Sequence, residues 1–485
     1  MMAAADADVV ITSAAVLTSV ADTIDDFAAA LRSGRSGVRP SCLPAHTRVR
    51  AAALLDLPGG ATPLDPPRYL PGGATPQDPP RYLPGGATPQ DPPRYLPGGA
   101  TPLDPPRYLP GGATPQDPLR YCAAGRQPSG LLADPQRSRR LRELTSRCAL
   151  PTQAAARVGW EAALAAGLGP SELARTAVVV GGNNLALDYQ ARVAARFADG
   201  EGTVRPSHAL AHLDIDTIGA ISELAGAVAE GCTIGGSSAS GALALIHGWR
   251  LLALHAADHC LVVGALSELS AAEYRAFHDS GAMALDPALP AAAVCRPFDR
   301  HRSGFVHGHG AAAVVLERRD TARGRGVRPW AVLAGHAQRL DGKRGAGPRP
   351  DRQAETIRAA LAAAGLGPGD VDYVNAHATG SRLGDRAEAQ ALQEVFGAAR
   401  PLVNSTKELV GHCLAAAGVV EAVATVLQLR DGFCHPNPNL TEPEDTRLEY
   451  VGEHAVPARL RAAVSTSFAF SGINAALVIT QAEDI

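Results

Sequence analysis

No stretch of this 485-residue chain is apolar for long enough to cross a bilayer. Its most apolar region, GALALIHGWRLLALHAADHCLVVGAL, is broken by His247, Arg250, His255, Asp258 and His259, whereas a span needs about 20 predominantly apolar residues. Excess charge is missing as well: the formal net charge is -3, so neither nucleic acid nor a membrane surface is indicated as a partner. The opening MMAAADADVVITSAAV has no basic head and carries Asp6 and Asp8, which predicts a strand in place of a signal peptide. The eight cysteines never take C-x-x-C spacing, which points to reduced, buried thiols, no metal and a cytoplasmic address. What remains is 46% hydrophobic and too long for a single core, so two domains or two fused halves are expected.

Residues 57–121 are five tandem copies of a thirteen-residue unit, LPGGATPQDPPRY with small variations. Each unit is rich in Pro and Gly, balances one Asp with one Arg and lacks an apolar face that could offset ordering entropy. It reads as an extended surface insertion. Around it, strand-like runs (DVVITSA, TAVVVGG, HCLVVGAL, AAAVVLE, VDYVNAH, NAALVIT) alternate with helical ones (TIDDFAAALRSG, PTQAAARVGWEAALAAGLG, QAETIRAALAAAGL, AGVVEAVATVLQLRDG). The alternation predicts an α/β architecture with mainly parallel, doubly covered sheets. The basic stretch RRDTARGRGVRP at 318–329 reads as a linker between halves at 1–320 and 327–485.

Five short segments carry chemistry. GGSSASG at 235–241 is a small-residue turn feeding a helix, where backbone N–H groups and the helix dipole favour an anion. A cysteine there would gain most from that field; only serines are present. VNAHATGSRLGDRAEAQAL sets His377 after a strand, and NSTKELVGHCLAAAG sets Lys407 five residues before His412. CRPFDRHRSGFVHGHGAAAVVLE is a polar turn running through glycines into a strand, and STSFAFSGINAALVI is a small-residue turn with Phe470 at its tip. His307 and His309 form an H-x-H with no acidic or cysteine ligand spaced to complete a metal site, so a solvated or turn-bonding role is expected.

Taken in this order, the segments resemble the β-ketoacyl synthase family of the thiolase fold over nearly the whole chain apart from the repeat. The N-terminal VVITSAAVLTSVADTIDDFAAALRSGRSGVRP resembles the family's first strand and helix, and SFAFSGIN resembles its SFGFGGTN turn. The resemblance implies two βαβ-rich halves, each with a five-stranded sheet, stacked as α-β-α-β-α layers. It implies a homodimer, or a heterodimer with a cysteine-bearing ketosynthase, and an acyl carrier protein as partner. No cofactor is implied beyond the phosphopantetheine arm that the substrate carries. By the same resemblance His377 and His412 hold a malonyl thioester carbonyl, and Lys407 supports them. Asp385 and Glu388 are the acidic positions that bond that lysine, and Thr379 and Ser381 touch the pantetheine arm. Phe470 is the gating phenylalanine, its N–H sharing an oxyanion hole with that of the nucleophile position.

The chain departs from the family where the reaction is decided. Aligned with the family's ACxSG elbow, SSASG puts Ser238 at the position of the catalytic cysteine, with Cys232 six residues upstream. Acyl transfer and condensation rely on a thiolate, whereas loss of CO2 relies on donors aimed at the enolate oxygen. Replacing the thiol while keeping both histidines and the lysine therefore removes loading and retains decarboxylation. That pattern resembles the serine-bearing homologues that convert malonyl-ACP to acetyl-ACP in polyketide β-branching. Two other readings stay open: a condensing enzyme with Ser238 as nucleophile, and a non-catalytic partner resembling chain-length factors. The family's GEGA turn is GHGA here, TGxG is TSAA, and two turn glycines are Ala469 and Ser471.

Overall fold

The computed structural model describes residues 8–40, 51–53, 130–200, 203–284, 288–345 and 347–482. The tandem repeat lies outside the described residues. Eleven strands form the main sheet: β1 (Val9–Thr18), β2 (Thr176–Gly181), β3 (Gly231–Ile234), β4 (His259–Gly264), β5 (Gly310–Arg318), β6 (Ala331–Leu340), β7 (Tyr373–Asn375), β8 (Leu402–Asn404), β9 (Glu449–Tyr450), β10 (Ala462–Ala469) and β11 (Ile473–Gln481). Their order is β9-β8-β7-β10-β11-β6-β1-β5-β4-β2-β3. The principal helices are α1 (Ile24–Ser33), α2 (Leu150–Ala165), α3 (Ile215–Ala225), α4 (Ser240–Ala253), α5 (Ala271–Asp279), α6 (Pro350–Ala363), α7 (Arg382–Phe396) and α8 (Ala417–Asp431).

The two half-sheets, of five strands (β1–β5) and of six (β6–β11) where five each were expected, are joined edge to edge by one short antiparallel contact, Val10 to Val332 and Ile11 to Ala331. The expectation of mainly parallel pairing is corrected. From β10 through β11, β6, β1 and β5 to β4 every pairing is antiparallel, and only the outer strands pair in parallel. All ten residues of β1 are buried. A strand covered on both faces is a continuous apolar run whichever way its neighbours point, so composition could not tell the two apart.

Cover comes in three helical layers. One outer layer has α2 on β1, β4 and β5, with α3 against α2; the other has α6 on β6 and β11, with α7 against α6. Between the half-sheets lie α4 and α8, in contact with each other and with strands of both halves. Every residue from Ala417 to Leu429 of α8 is buried, as expected of a helix enclosed on all sides. By contrast α1 follows local rules: Thr23 caps Asp26 N–H, Gly34 closes the helix in the left-handed region, and Phe27, Ala28, Ala30 and Leu31 face inward. The linker-like stretch differs from expectation, since Arg319–Gly324 forms a short helix with Ala322 buried. No helix among the described residues is long and apolar enough to cross a membrane.

The central helices touch through glycines. A Cβ on Gly241 of α4 would stand 2.8 Å from Val419 N and 3.0 Å from Ala415 O, and one on Gly418 of α8 would stand 2.5 Å from Ala242 N. These are backbone atoms, which cannot turn aside as a side chain can. Gly418→Ala is therefore expected to cost about 1–3 kcal/mol by overpacking and to lower the Tm by several degrees, measured by calorimetry. An unchanged Tm would show that the helices separate without penalty.

Candidate active site

The crossing of α4 and α8 brings together the segments that precede them. Ser237–Ala239 forms a 3₁₀ turn ahead of α4, with Ser237 at φ +52°. The turn is tied down by Ser240, whose Oγ accepts Gly236 N–H at 2.8 Å and donates to Ser237 O at 2.7 Å. Ser238 is thereby held at the helix N-terminus and buried, at 8% exposure. His412 stands ahead of α8, backed by the 305–308 segment. Its N–H donates to Val306 O at 2.7 Å, and its carbonyl accepts Gly308 N–H at 3.0 Å. Ser238 Oγ and His412 Nε2 are 2.8 Å apart.

His377 follows β7 after one residue, Ala376. Its ring centroid is 5.5 Å from that of His412, with the planes at 85°. Two carboxylates fix the loop that holds it. Glu388 accepts His377 N–H at 2.9 Å, Ala378 N–H at 2.7 Å and the Thr466 hydroxyl at 2.6 Å. Asp385 accepts Thr379 N–H at 3.0 Å, Gly380 N–H at 3.1 Å and Phe298 N–H at 2.9 Å, with the Arg302 guanidinium 3.6 Å away. The expectation that these acids bond Lys407 is thus corrected. Lys407 Nζ donates instead to Glu421, on the first turns of α8, and both side chains are buried. Glu421 lies inside a run of buried alanines and valines that reads as plain core, and only the tertiary fold brings the lysine to it.

Electrostatics keep both imidazoles neutral. Burial, then the Lys407 charge, then the neighbouring histidine hold His377 well below the ordinary 6.5; for His412 the same first two causes are followed by His307. Neither Nδ1 has a hydrogen-bond partner among the described residues. A tautomer protonated at Nε2 then leaves a lone pair, and not an N–H, unsatisfied in the interior. Burial also pushes Asp385 up to about 6 and Glu388 up to about 7, against the donors they accept. It pushes Glu421 up to about 7, against Lys407.

Ser238, His377, His412, Asp385 and Glu388 line one cavity of about 1090 Å³, together with Ser237, Thr379, Ser381, Phe470 and Asn474. Thr379 Oγ1 accepts Ser381 N–H at 3.3 Å. Two aromatic rings unremarked in the sequence complete the wall. Phe305 packs edge-on to His412 at 5.5 Å and to Phe277 of α5 at 5.5 Å, and Phe277 is 6.5 Å from Phe470. Cys232 lies in β3 and takes no part in the cavity. His307 is not solvated: it is fully buried, with Tyr274 OH 2.7 Å from its Nδ1. STSFA belongs to β10, so the turn is confined to Phe470–Gly472.

Residues 134–322 match the beta-ketoacyl synthase N-terminal domain and residues 330–441 match the beta-ketoacyl synthase C-terminal domain. The chain belongs to the beta-ketoacyl synthase family. A relative from Bacillus subtilis (strain 168), the polyketide biosynthesis malonyl-ACP decarboxylase PksF, is 37% identical over 340 residues, covering 70% of this chain and 80% of the relative. The 3-oxoacyl-acyl-carrier-protein synthase 2 of Mycobacterium tuberculosis (strain ATCC 25618 / H37Rv) is 37% identical over 243 residues, 49% of this chain and 58% of that protein. Among solved structures, a beta-ketoacyl synthase from Burkholderia phymatum STM815 superposes with a TM-score of 0.73 at 25% identity, covering 98% of this chain and 100% of that one. The thiolase-type ketosynthase fold is therefore that of this chain, and its family relatives are enzymes.

The buried pair predicts a pH effect. Without the lysine, the Glu421 carboxyl holds its proton to higher pH than it does at about 7 now. The folded state then binds a proton that the unfolded state has released, so stability falls as pH rises through neutrality. Lys407→Met is expected to cost about 3–5 kcal/mol once that carboxyl ionises and less at acid pH. Lys407→Met/Glu421→Gln should lose the part of the pH dependence that Glu421 contributes. Urea denaturation at about pH 6 and pH 8 checks this, and a pH-independent loss would show that Glu421 is not the stranded group.

Proposed function

We propose that this protein decarboxylates a malonyl thioester carried on the phosphopantetheine arm of an acyl carrier protein, giving the acetyl carrier and CO2 for polyketide biosynthesis. The observation that carries the reading is a non-thiol elbow, Ser238, beside an intact pair of neutral imidazoles. In the step, the bond between the α-carbon and the carboxylate breaks and CO2 leaves. The electron pair passes to the thioester oxygen as an enolate, and a proton from water completes the acetyl group. His377 and His412 donate from Nε2 to that oxygen, a preorganised arrangement. Lys407 disfavours proton uptake by the rings, keeping them as neutral donors. Thr379 and Ser381, on the cavity wall, hold the pantetheine arm. The protein works as a dimer, and the name of the Bacillus relative supports the reaction.

The Ser238–His412 contact also favours a second reading, a serine nucleophile activated by a histidine base. Against it, taking the serine proton would create an imidazolium where burial and Lys407 disfavour one. No carboxylate supports His412 Nδ1 among the described residues. A silent partner subunit has no need of the complete set His377, His412, Lys407 and Glu421.

Intact-mass analysis of malonyl-loaded carrier protein tests the reading. The carrier is expected to lose CO2 with no adduct on the enzyme. Ser238→Ala should retain turnover within about tenfold, and His377→Ala should lower kcat by about 100- to 1000-fold, the usual effect of losing one oxyanion donor. An acyl adduct on Ser238 with collapse of activity in Ser238→Ala would establish the nucleophile instead; no change in the carrier would leave the partner subunit.

A further inference from the structure

The imidazole of His307 lies in the interior and takes no part in the proposed step. It is 0% exposed and Tyr274 is 3% exposed. The Tyr274 hydroxyl stands 2.7 Å from His307 Nδ1, with the two rings edge-on at 5.4 Å. Tyr274 belongs to α5, whose N-terminus is fixed by a capping box between Ser270 and Glu273. One turn further along that helix, Phe277 packs on Phe305. The helix thus meets Phe305 and His307, alternate residues of the 305–308 segment, with side chains three apart, the spacing at which helical residues share a face.

That segment is the backing of His412. His307 and His412 are partners in a parallel bridge, and Val306 and Gly308 make the two backbone bonds of His412. The other edge of the segment is held as well: Ala53 N–H donates to His307 O at 2.9 Å, and His309 N–H donates to Ala53 O at 2.9 Å. There is no slack between the two chains, since a Cβ on Gly308 would lie 2.1 Å from Val410 O. A shift of the His307 segment is therefore a shift of His412, whose Nε2 faces Ser238 Oγ at 2.8 Å.

We infer that His307, anchored by the Tyr274 hydroxyl, is a positioning residue that sets where His412 Nε2 stands beside position 238. Phe305 holds the same segment by packing; the hydrogen bond adds a direction that an apolar contact lacks. It admits one placement of the segment against α5, because parting the two strips Nδ1 of its partner in the interior, which is costly. The effect on turnover rests on the decarboxylase reading; the placement of His412 does not.

Tyr274→Phe keeps the ring and removes only the hydroxyl, and His307→Leu keeps an apolar body and removes the bond. Each should lower kcat for decarboxylation about 10- to 100-fold and leave KM within about threefold, the cost of misplacing a reacting group by up to about 1 Å. His307→Asn sets an amide at the place of Nδ1 that can give or accept the bond, and should keep kcat within about threefold. Ser238→Cys adds a readout that needs no turnover. An imidazole held beside the introduced thiol favours its thiolate, which attacks iodoacetamide at carbon and releases iodide. Read by mass against the background of the native cysteines, that alkylation should slow about tenfold on adding Tyr274→Phe or His307→Leu and recover with His307→Asn. Calorimetry checks that each variant is folded, and Tyr274→Phe carries the test if His307→Leu is not. Alkylation unmoved by Tyr274→Phe, or a loss in His307→Asn as deep as that in Tyr274→Phe, would overturn the inference. Alkylation that follows the expected order while the malonyl carrier stays unchanged would overturn the proposed reaction and not the placement of His412.

Discussion

The close approach of two buried helices governs the rest of the molecule. Gly241 and Gly418 let α4 and α8 meet backbone to backbone between the half-sheets. Each helix then delivers the turn that precedes it to one point: Ser238 from one half of the chain, His412 from the other, 2.8 Å apart. A side chain at either glycine would separate the helices and with them the two reactive groups. The same stacking places Glu421 within reach of Lys407, so the fold's innermost packing and its buried ion pair are one construction.

Around that junction, polar groups are used to fix backbone more than to contact substrate. Glu388 and Asp385 spend their acceptor capacity on the amides of 377–380 and on Thr466 and Phe298. Such bonds orient the loop that carries His377. Lys407 is itself held by a carboxylate, and its charge reaches the imidazoles through the interior, where charges are poorly screened. The outcome is a pair of buried neutral donors, a suitable arrangement for receiving a developing oxyanion and a poor one for generating an imidazolium. A hydroxyl at position 238, beside His412, is compatible with that environment.

Much of this was legible in the chain because it depends on local pattern. The alternation of apolar strands and helices gave the α/β class, and α1 shows its cap, its buried face and its terminal glycine in the residues themselves. The positions of Ser238, His377, Lys407, His412 and Phe470 could be read from motifs, since each stands at the end of an element whose boundary is marked by small residues. The strands β3, β6, β8, β9 and β10 were not seen. Four of them are short or rich in small and polar residues, and β6 ends exposed at Arg339 and Leu340, so none presents the apolar run by which the others were read.

By itself, then, the sequence determined the fold class, the family and the identity of the groups in the site. Tertiary structure decided who partners whom. The antiparallel centre of the sheet, the Lys407–Glu421 pair, the clamping of 377–380 by the two acids and the burial of His307 against Tyr274 all join residues distant along the chain. Hydrophobic pattern records whether a residue is buried, because burial depends on its own side chain. Which neighbour a buried polar group meets depends on how the layers stack, and only the folded chain specifies that.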